Sequence, residues 1–333
     1  MELPTKLTLL GVDHSPWAQT VAIALRLKGV AFATTIVFPP HKFCASGFIF
    51  PTLFVHGREE LSGSEAALRY IDTLDSPDAT GGVVVGSLTN AYDEGEWLFR
   101  AEELFRFFVF GRCPPSQLGH FVNSFSYSSD LCGSRAARLA NAFMRALPCL
   151  HFALSIMLAT SVLGLHMDLP KTRETLRWWA TQLEASAGPF FCGARPTGVD
   201  VVLFGQIQCM STAVGHTGHA LRLLADEPAL LAWVRRMNAC LGDDFLWLSS
   251  ATLEQRDPQK WRGPACCPLE LRLAFYIGIA TFATVLLPLT LCAFVFHNIV
   301  RASNPNRSLA LYHKEVERRE AVSARKASPT VLL

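Results

Sequence analysis

The chain has 333 residues, half of them hydrophobic, with 30 Lys and Arg against 28 Asp and Glu. That near-neutral balance, with no Lys/Arg stripe interleaved with aromatics, gives no electrostatic case for nucleic acid as a partner. Ten cysteines occur without a C-x-x-C pair, which removes the usual zinc and dithiol readings and leaves free thiols as the default; no metal is expected.

In chain order, Leu7–Gly11 is predicted as a short apolar strand that passes through Val12-Asp13-His14 into a helix. Ser15 suits the N-cap, and Pro16 suits the first helical position, where no amide donor is needed. Ala18, Val21, Ala22 and Leu25 recur at helical spacing, and Gly29 is the stop. Ala31–Phe38 reads as a strand ending at Pro39-Pro40. Thr52–His56 is a third strand, turning at His56-Gly57 into a short partner around Glu60-Leu61. Ser62–Leu74 reads as a helix with Ala66, Ala67, Leu68 and Ile71 inward. The Gly-, Ser-, Asp- and Pro-rich Ser76–Thr89 is a linker.

From Tyr92 to Leu248 the periodicity is helical throughout. Helices are predicted at Asp93–Phe110, Arg135–Leu165, Lys171–Ala187, Gly198–Ala213 and Pro228–Leu241, with Asn123–Gly133 as an exposed loop. Thr197 and Asp200 are placed to form a reciprocal cap, a folding device and not a catalytic one. Trp97, Phe105, Phe107 and Phe108 read as core rings, with an apolar acceptor pocket as the other use of such a cluster. No charged residue lies between Arg145 and Asp168, a run interrupted by Pro148, Ser155, Gly164 and two histidines; a buried helix accounts for it.

Glu254–Pro268 is a polar neck. After it, Leu273–Phe296 runs 24 residues without a charge, roughly 36 Å as a helix against about 30 Å of bilayer hydrocarbon. This segment is predicted to span a membrane once, with Pro288 inside it. Cys266-Cys267, just before it, are candidates for reversible acylation. No secretory signal is read at Met1–Lys6, so the N-terminal domains are expected to face the cytosol.

Four local patterns, in order, resemble the cytosolic glutathione transferases. They are Ser15-Pro16-Trp17-Ala18-Gln19 with Lys28-Gly29-Val30; Phe50-Pro51-Thr52-Leu53, at the family's cis-proline; Leu61-Ser62-Gly63-Ser64-Glu65-Ala66-Ala67; and Phe190-Phe191-Cys192-Gly193 before Pro196-Thr197-Gly198-Val199-Asp200. The resemblance covers roughly Lys6–Leu248. It implies an α/β thioredoxin-like domain (6–75), a linker (76–91) and an all-α glutathione transferase C-terminal-like domain (92–248); the residue pattern adds a neck (249–272), a single transmembrane helix (273–296) and a polar tail (297–333).

The same resemblance implies glutathione as co-substrate, Ser15 as the catalytic hydroxyl beside its sulfur, and Phe50, Pro51 and Ser64 as its binding residues. A homodimer is a further possibility of the family. A free thiol has a pKa of about 8.5, so a donor at a helix N-terminus would enlarge its thiolate fraction. Ser15 as a helix cap alone remains open. The chain departs from the pattern where Gly63 replaces an acidic residue and where Ile49 precedes Phe50. Two functions fit: a membrane-anchored transferase acting on, or reducing, a hydrophobic electrophile, favoured by Ser15-Pro16; and a non-catalytic adaptor of the same fold on an organelle membrane, favoured by Gly63.

Overall fold

The computed structural model describes residues 7–11, 15–35, 51–55, 59–74, 83, 85–104, 122, 125–126, 134–150, 153, 168–212, 223–242 and 268–286. Residues 1–279 form one compact unit and residues 280–333 another.

Four short strands make a mixed sheet: β1 (Leu7–Leu10), β2 (Phe32–Thr35), β3 (Thr52–Val55) and β4 (Glu59–Ser62), in the order β2-β1-β3-β4. β1 runs parallel to β2, with Leu7 opposite Phe32, and antiparallel to β3, with Leu7 opposite Val55. The parallel pair needs a crossover, and α1 (Pro16–Leu27) supplies it. Its ends follow from local chemistry. The Ser15 hydroxyl accepts from the Ala18 amide at 3.4 Å, Pro16 occupies the first turn, and Gly29 leaves the helix at φ 68°. The next helix, α2, begins later than the sequence suggests, at Ser64, and ends at Asp72. Ser62 closes β4 instead, and Gly63 makes the turn with its N–H donating to the Pro51 carbonyl at 2.8 Å. A helix cannot start at Ser62 because Gly63 sits at φ 93°, ψ 153°, far from helical values.

The helical part comprises α3 (Asn90–Asp93), α4 (Gly95–Leu104), α5 (Arg135–Met144), α6 (Leu169–Ala185), α7 (Gly198–Thr212), α8 (Pro228–Leu241) and α9 (Leu269–Thr281). The helix expected over Asp93–Phe110 is broken at Glu94, and residues 105–110 lie outside the description. The one expected over Arg135–Leu165 is interrupted at Arg145, with 146–150 helical again. The loop expected to be exposed at Asn123–Gly133 contains the buried Phe125 and Ser126, so a serine-rich composition misled there.

One core runs through both parts. Val21, Ile23, Leu25 and Leu27 of α1 are fully buried, because α1 is covered by the sheet and α2 and also lies along α7. Gly205 permits that approach: a Cβ there would sit 2.7 Å from Thr20 Oγ1 and 2.8 Å from the Pro16 carbonyl oxygen. The start of α7 is held by Asp200, which is buried. Its carboxylate accepts from the Thr197 amide (2.9 Å), the Thr197 hydroxyl (3.1 Å), the Phe191 amide (3.3 Å) and Trp233 Nε1 (2.8 Å). Of the expected reciprocal cap, the half in which Asp200 reaches back to the Thr197 amide is formed, while the Thr197 hydroxyl donates to the same carboxylate. Around it, Trp97, Trp179, Phe191, Trp233 and Phe204 form a continuous series of ring contacts with centroids 5.1–5.7 Å apart. Trp97 belongs to this core; Phe105, Phe107 and Phe108 lie outside the described residues.

In the uncharged run after Arg145, Ala146, Leu147, Cys149 and Ala153 are buried. α4 before it packs on α6 after it. The rest of the run, residues 151–152 and 154–167, lies outside the described residues.

α9 continues into a π-helical turn, Phe282–Leu286. Among the described residues no helix is long and apolar enough to cross a membrane. Of the span expected at Leu273–Phe296, residues 287–296 lie outside the description, as do Cys266 and Cys267. At the start of that segment Phe275 and Gly278 are buried, as is Leu271 just before it.

Candidate functional site

A cleft of about 560 Å³ opens where the N-terminus of α2 meets the first turn of α1 and the helices α3 and α4. Its polar wall is Ser62, Ser64, Glu65 and Arg69 from the β4–α2 segment, with Tyr92 and Glu102 from the helical part; Trp17 and Leu98 supply apolar surface. The N-terminal amides of a helix favour negative charge, and Ser64 is the first residue of α2.

The Tyr92 phenol donates to Ser64 Oγ at 2.9 Å. Tyr92 is largely buried, and that burial pushes its phenol up to about 12, so it stays a donor at any physiological pH. With the Ser64 oxygen engaged as acceptor, the Ser64 proton is the part of the hydroxyl left to offer a ligand acceptor such as a carboxylate.

Gly63, where the resemblance implies an acidic residue, has a backbone reason. Its φ of 93° is one that L side chains rarely adopt, while a Cβ built there meets nothing within 4 Å. The constraint is conformation, not crowding. Negative charge in the cleft comes instead from Glu65 and Glu102. Glu65 accepts from Arg69, which also bridges to Asp93 at 3.0 Å and so ties α2 to α3.

The other residues singled out from the sequence fall differently. Pro51 is buried next to this wall, joined to Gly63 through its carbonyl. Ser15 is only 4% exposed, caps α1 and does not line the cleft, whereas Trp17, one turn edge away, does. Phe50, His14 and Ile49 lie outside the described residues. Tyr92 and Glu102 were missed by sequence reasoning. Neither sits in a local pattern that announces a site, and only the docking of the helical part onto α2 brings them to Ser64.

Residues 167–236, covering α6, α7 and the first part of α8, match the profile of the glutathione S-transferase C-terminal domain. No curated protein matches the chain. Solved structures similar to it include a possible glutathione S-transferase from Rhodopseudomonas palustris, at 17% identity and TM-score 0.39 over 72% of this chain and 96% of that one. A rice glutathione transferase in complex with glutathione gives 20% identity and TM-score 0.39 over 71% and 88%. A glutathione S-transferase of Ceriporiopsis subvermispora in complex with glutathione gives 13% and 0.44 over 72% and 98%. The C-terminal-domain match and the mixed four-stranded sheet give the chain a glutathione transferase-like fold with a thioredoxin-like first part.

Proposed function

We propose that this chain is a membrane-tethered, glutathione transferase-like protein whose cleft at the start of α2 takes the γ-glutamyl end of glutathione. The observation that carries the reading is the Tyr92–Ser64 hydrogen bond in a cleft that also holds Glu65 and Glu102. Ser64 and the first amides of α2 would receive the ligand carboxylate, and Glu102 or Glu65 would face its ammonium group, the role that Gly63 cannot fill. Pro51 and Phe50 would flank the middle of the tripeptide, as an added strand edge does.

In the reaction, the glutathione thiol loses its proton to solvent, and its sulfur forms a bond to an electrophilic carbon as the leaving group departs. Ser15, at the N-terminus of α1, would stabilise the thiolate by donating its hydroxyl proton. The uncharged run Leu273–Phe296 supports a bilayer-embedded tether, which would give hydrophobic electrophiles direct access from the lipid.

A second reading, a non-catalytic adaptor of the same fold, is favoured by the burial of Ser15 and its engagement as a helix cap. Calorimetric titration of the full chain in detergent with glutathione, beside turnover of a chlorodinitrobenzene electrophile, separates the two. The transferase reading expects saturable binding that Ser64→Ala abolishes, and turnover that Ser15→Ala lowers at least tenfold with binding little changed. Binding without turnover supports the adaptor; no binding by folded protein removes both the ligand and the enzyme.

A further inference from the structure

We propose that α5 and α9 form a helix pair whose exposed face seats the helical body directly on a phospholipid bilayer. This rests on the membrane reading above and extends it to a surface of the folded unit.

The pair is fixed at two levels. At its beginning the Arg135 guanidinium donates to Glu270, with Nε at 3.1 Å. Eight residues further along each helix, Gly278 lies against the Phe143 carbonyl; a Cβ on Gly278 would collide with that oxygen and come within 2.9 Å of the Ala146 methyl. Eight residues rise about 12 Å in either helix. The two therefore run in the same general direction, bridged by long side chains at the Arg135 end and closely packed only at Gly278. Close approach through Gly and Ala is how helices pack where lipid removes the hydrophobic drive for association.

The outer surface of this pair is apolar in a way no other part of the described chain is. Leu269 (68% exposed), Leu273 (54%), Tyr276 (38%) and Ile277 (60%) make one stripe of α9, and of the large hydrophobic side chains exposed among the described residues only Phe99 lies elsewhere. Ala136, Ala137 and Ala140 are exposed on α5.

Polarity is also graded along the axis. Charge gathers at the N-terminal ends, at Arg135, Arg138, Glu270 and Arg272; beyond them neither helix carries a charge, and the next after α5 is its C-cap Arg145, which is buried. A face made for another protein carries a polar rim around an apolar centre. A face made for a bilayer is polar at one end, at headgroup level, and apolar at the other. The occupant is therefore lipid, and the uncharged sequence carries on for ten more residues, 287–296, in keeping with that choice.

The test is photocrosslinking of the full chain in phosphatidylcholine vesicles containing radiolabelled phospholipid. Benzoylphenylalanine is placed singly at Leu273, Ile277 and Ala140, with Glu184, exposed on α6, as the control position. The seat predicts lipid adducts at 273, 277 and 140 at least fivefold above position 184. It also predicts that Gly278→Val, by splitting the pair, removes the adduct at 140 and leaves that at 277. Vesicle-bound protein lacking lipid adducts at 273 and 277 overturns the seat while leaving the tether intact. Adducts only to a second copy of the chain overturn it in favour of a chain–chain interface. Failure of the unmodified chain to float with vesicles sinks the membrane reading itself, and the seat with it.

Discussion

The phenol of Tyr92 and the hydroxyl of Ser64 lie 2.9 Å apart although 28 residues separate them, and they come from the two structurally different parts of the chain. The hydrogen bond makes the cleft a joint product of both parts. Ser64 alone would be one more serine at a helix start; with its oxygen held, the direction of its proton is set.

Removing that hold should weaken ligand binding more than it weakens the fold. Tyr92→Phe keeps the ring in its buried place and deletes only the donor. One intramolecular hydrogen bond is worth about 1 kcal/mol net, so glutathione affinity by calorimetry should fall about three- to tenfold, with the melting temperature within a few degrees of the parent. Unchanged affinity would show that Ser64 orients itself.

The same phenol sets a pH dependence. Its folded pKa of about 12 lies above the ordinary value of 10, so the folded state holds the proton more tightly than the unfolded one. The resulting stability is complete below about pH 10 and is lost as pH rises toward 12. Urea unfolding at pH 9 and at pH 11.5 should show a drop that is smaller in Tyr92→Phe. Between pH 6 and 9 Tyr92 should contribute no titration to ligand binding.

Asp200 offers a sharper stability test. Its two oxygens accept from four donors in the buried core. Asp200→Asn replaces one acceptor oxygen with an NH2 group that faces donors, leaving buried hydrogen bonds unmade. A loss of about 2–4 kcal/mol is expected by chemical denaturation. Disturbance of the Trp233 indole in near-ultraviolet circular dichroism should accompany it, because that ring nitrogen is one of the four donors.

Gly63→Ala should act locally. The space beyond the Cα is open, so no clash arises, but φ of 93° is strained for any side chain, at a cost of about 1–3 kcal/mol. Amide hydrogen exchange should show the β4–α2 turn loosening while α7 keeps its protection. Equal loss of protection in both would mean that the turn is part of the global folding unit.

How much of this was readable from residues alone varied with the range of the interaction. Helix ends decided by neighbours four residues away, such as Ser15 with Pro16 or the start of α8 at Pro228, were legible because the chemistry is contained in the local pattern. The start of α2 was not, since it depends on Gly63 bonding back to Pro51, twelve positions earlier. Ser64 could be picked out by its place before a helix, but Tyr92 and Glu102 reach the cleft only through tertiary docking. Phe125 shows the opposite failure: four serines nearby suggested exposure, while one ring found a buried place.

The crossing at Gly205 has a mechanical consequence. Because α1 is both a cover of the sheet and the partner of α7, with its backbone close against Gly205, the two parts of the body share one helix. They should melt in one cooperative transition, since parting them would tear the shared helix from one of its partners.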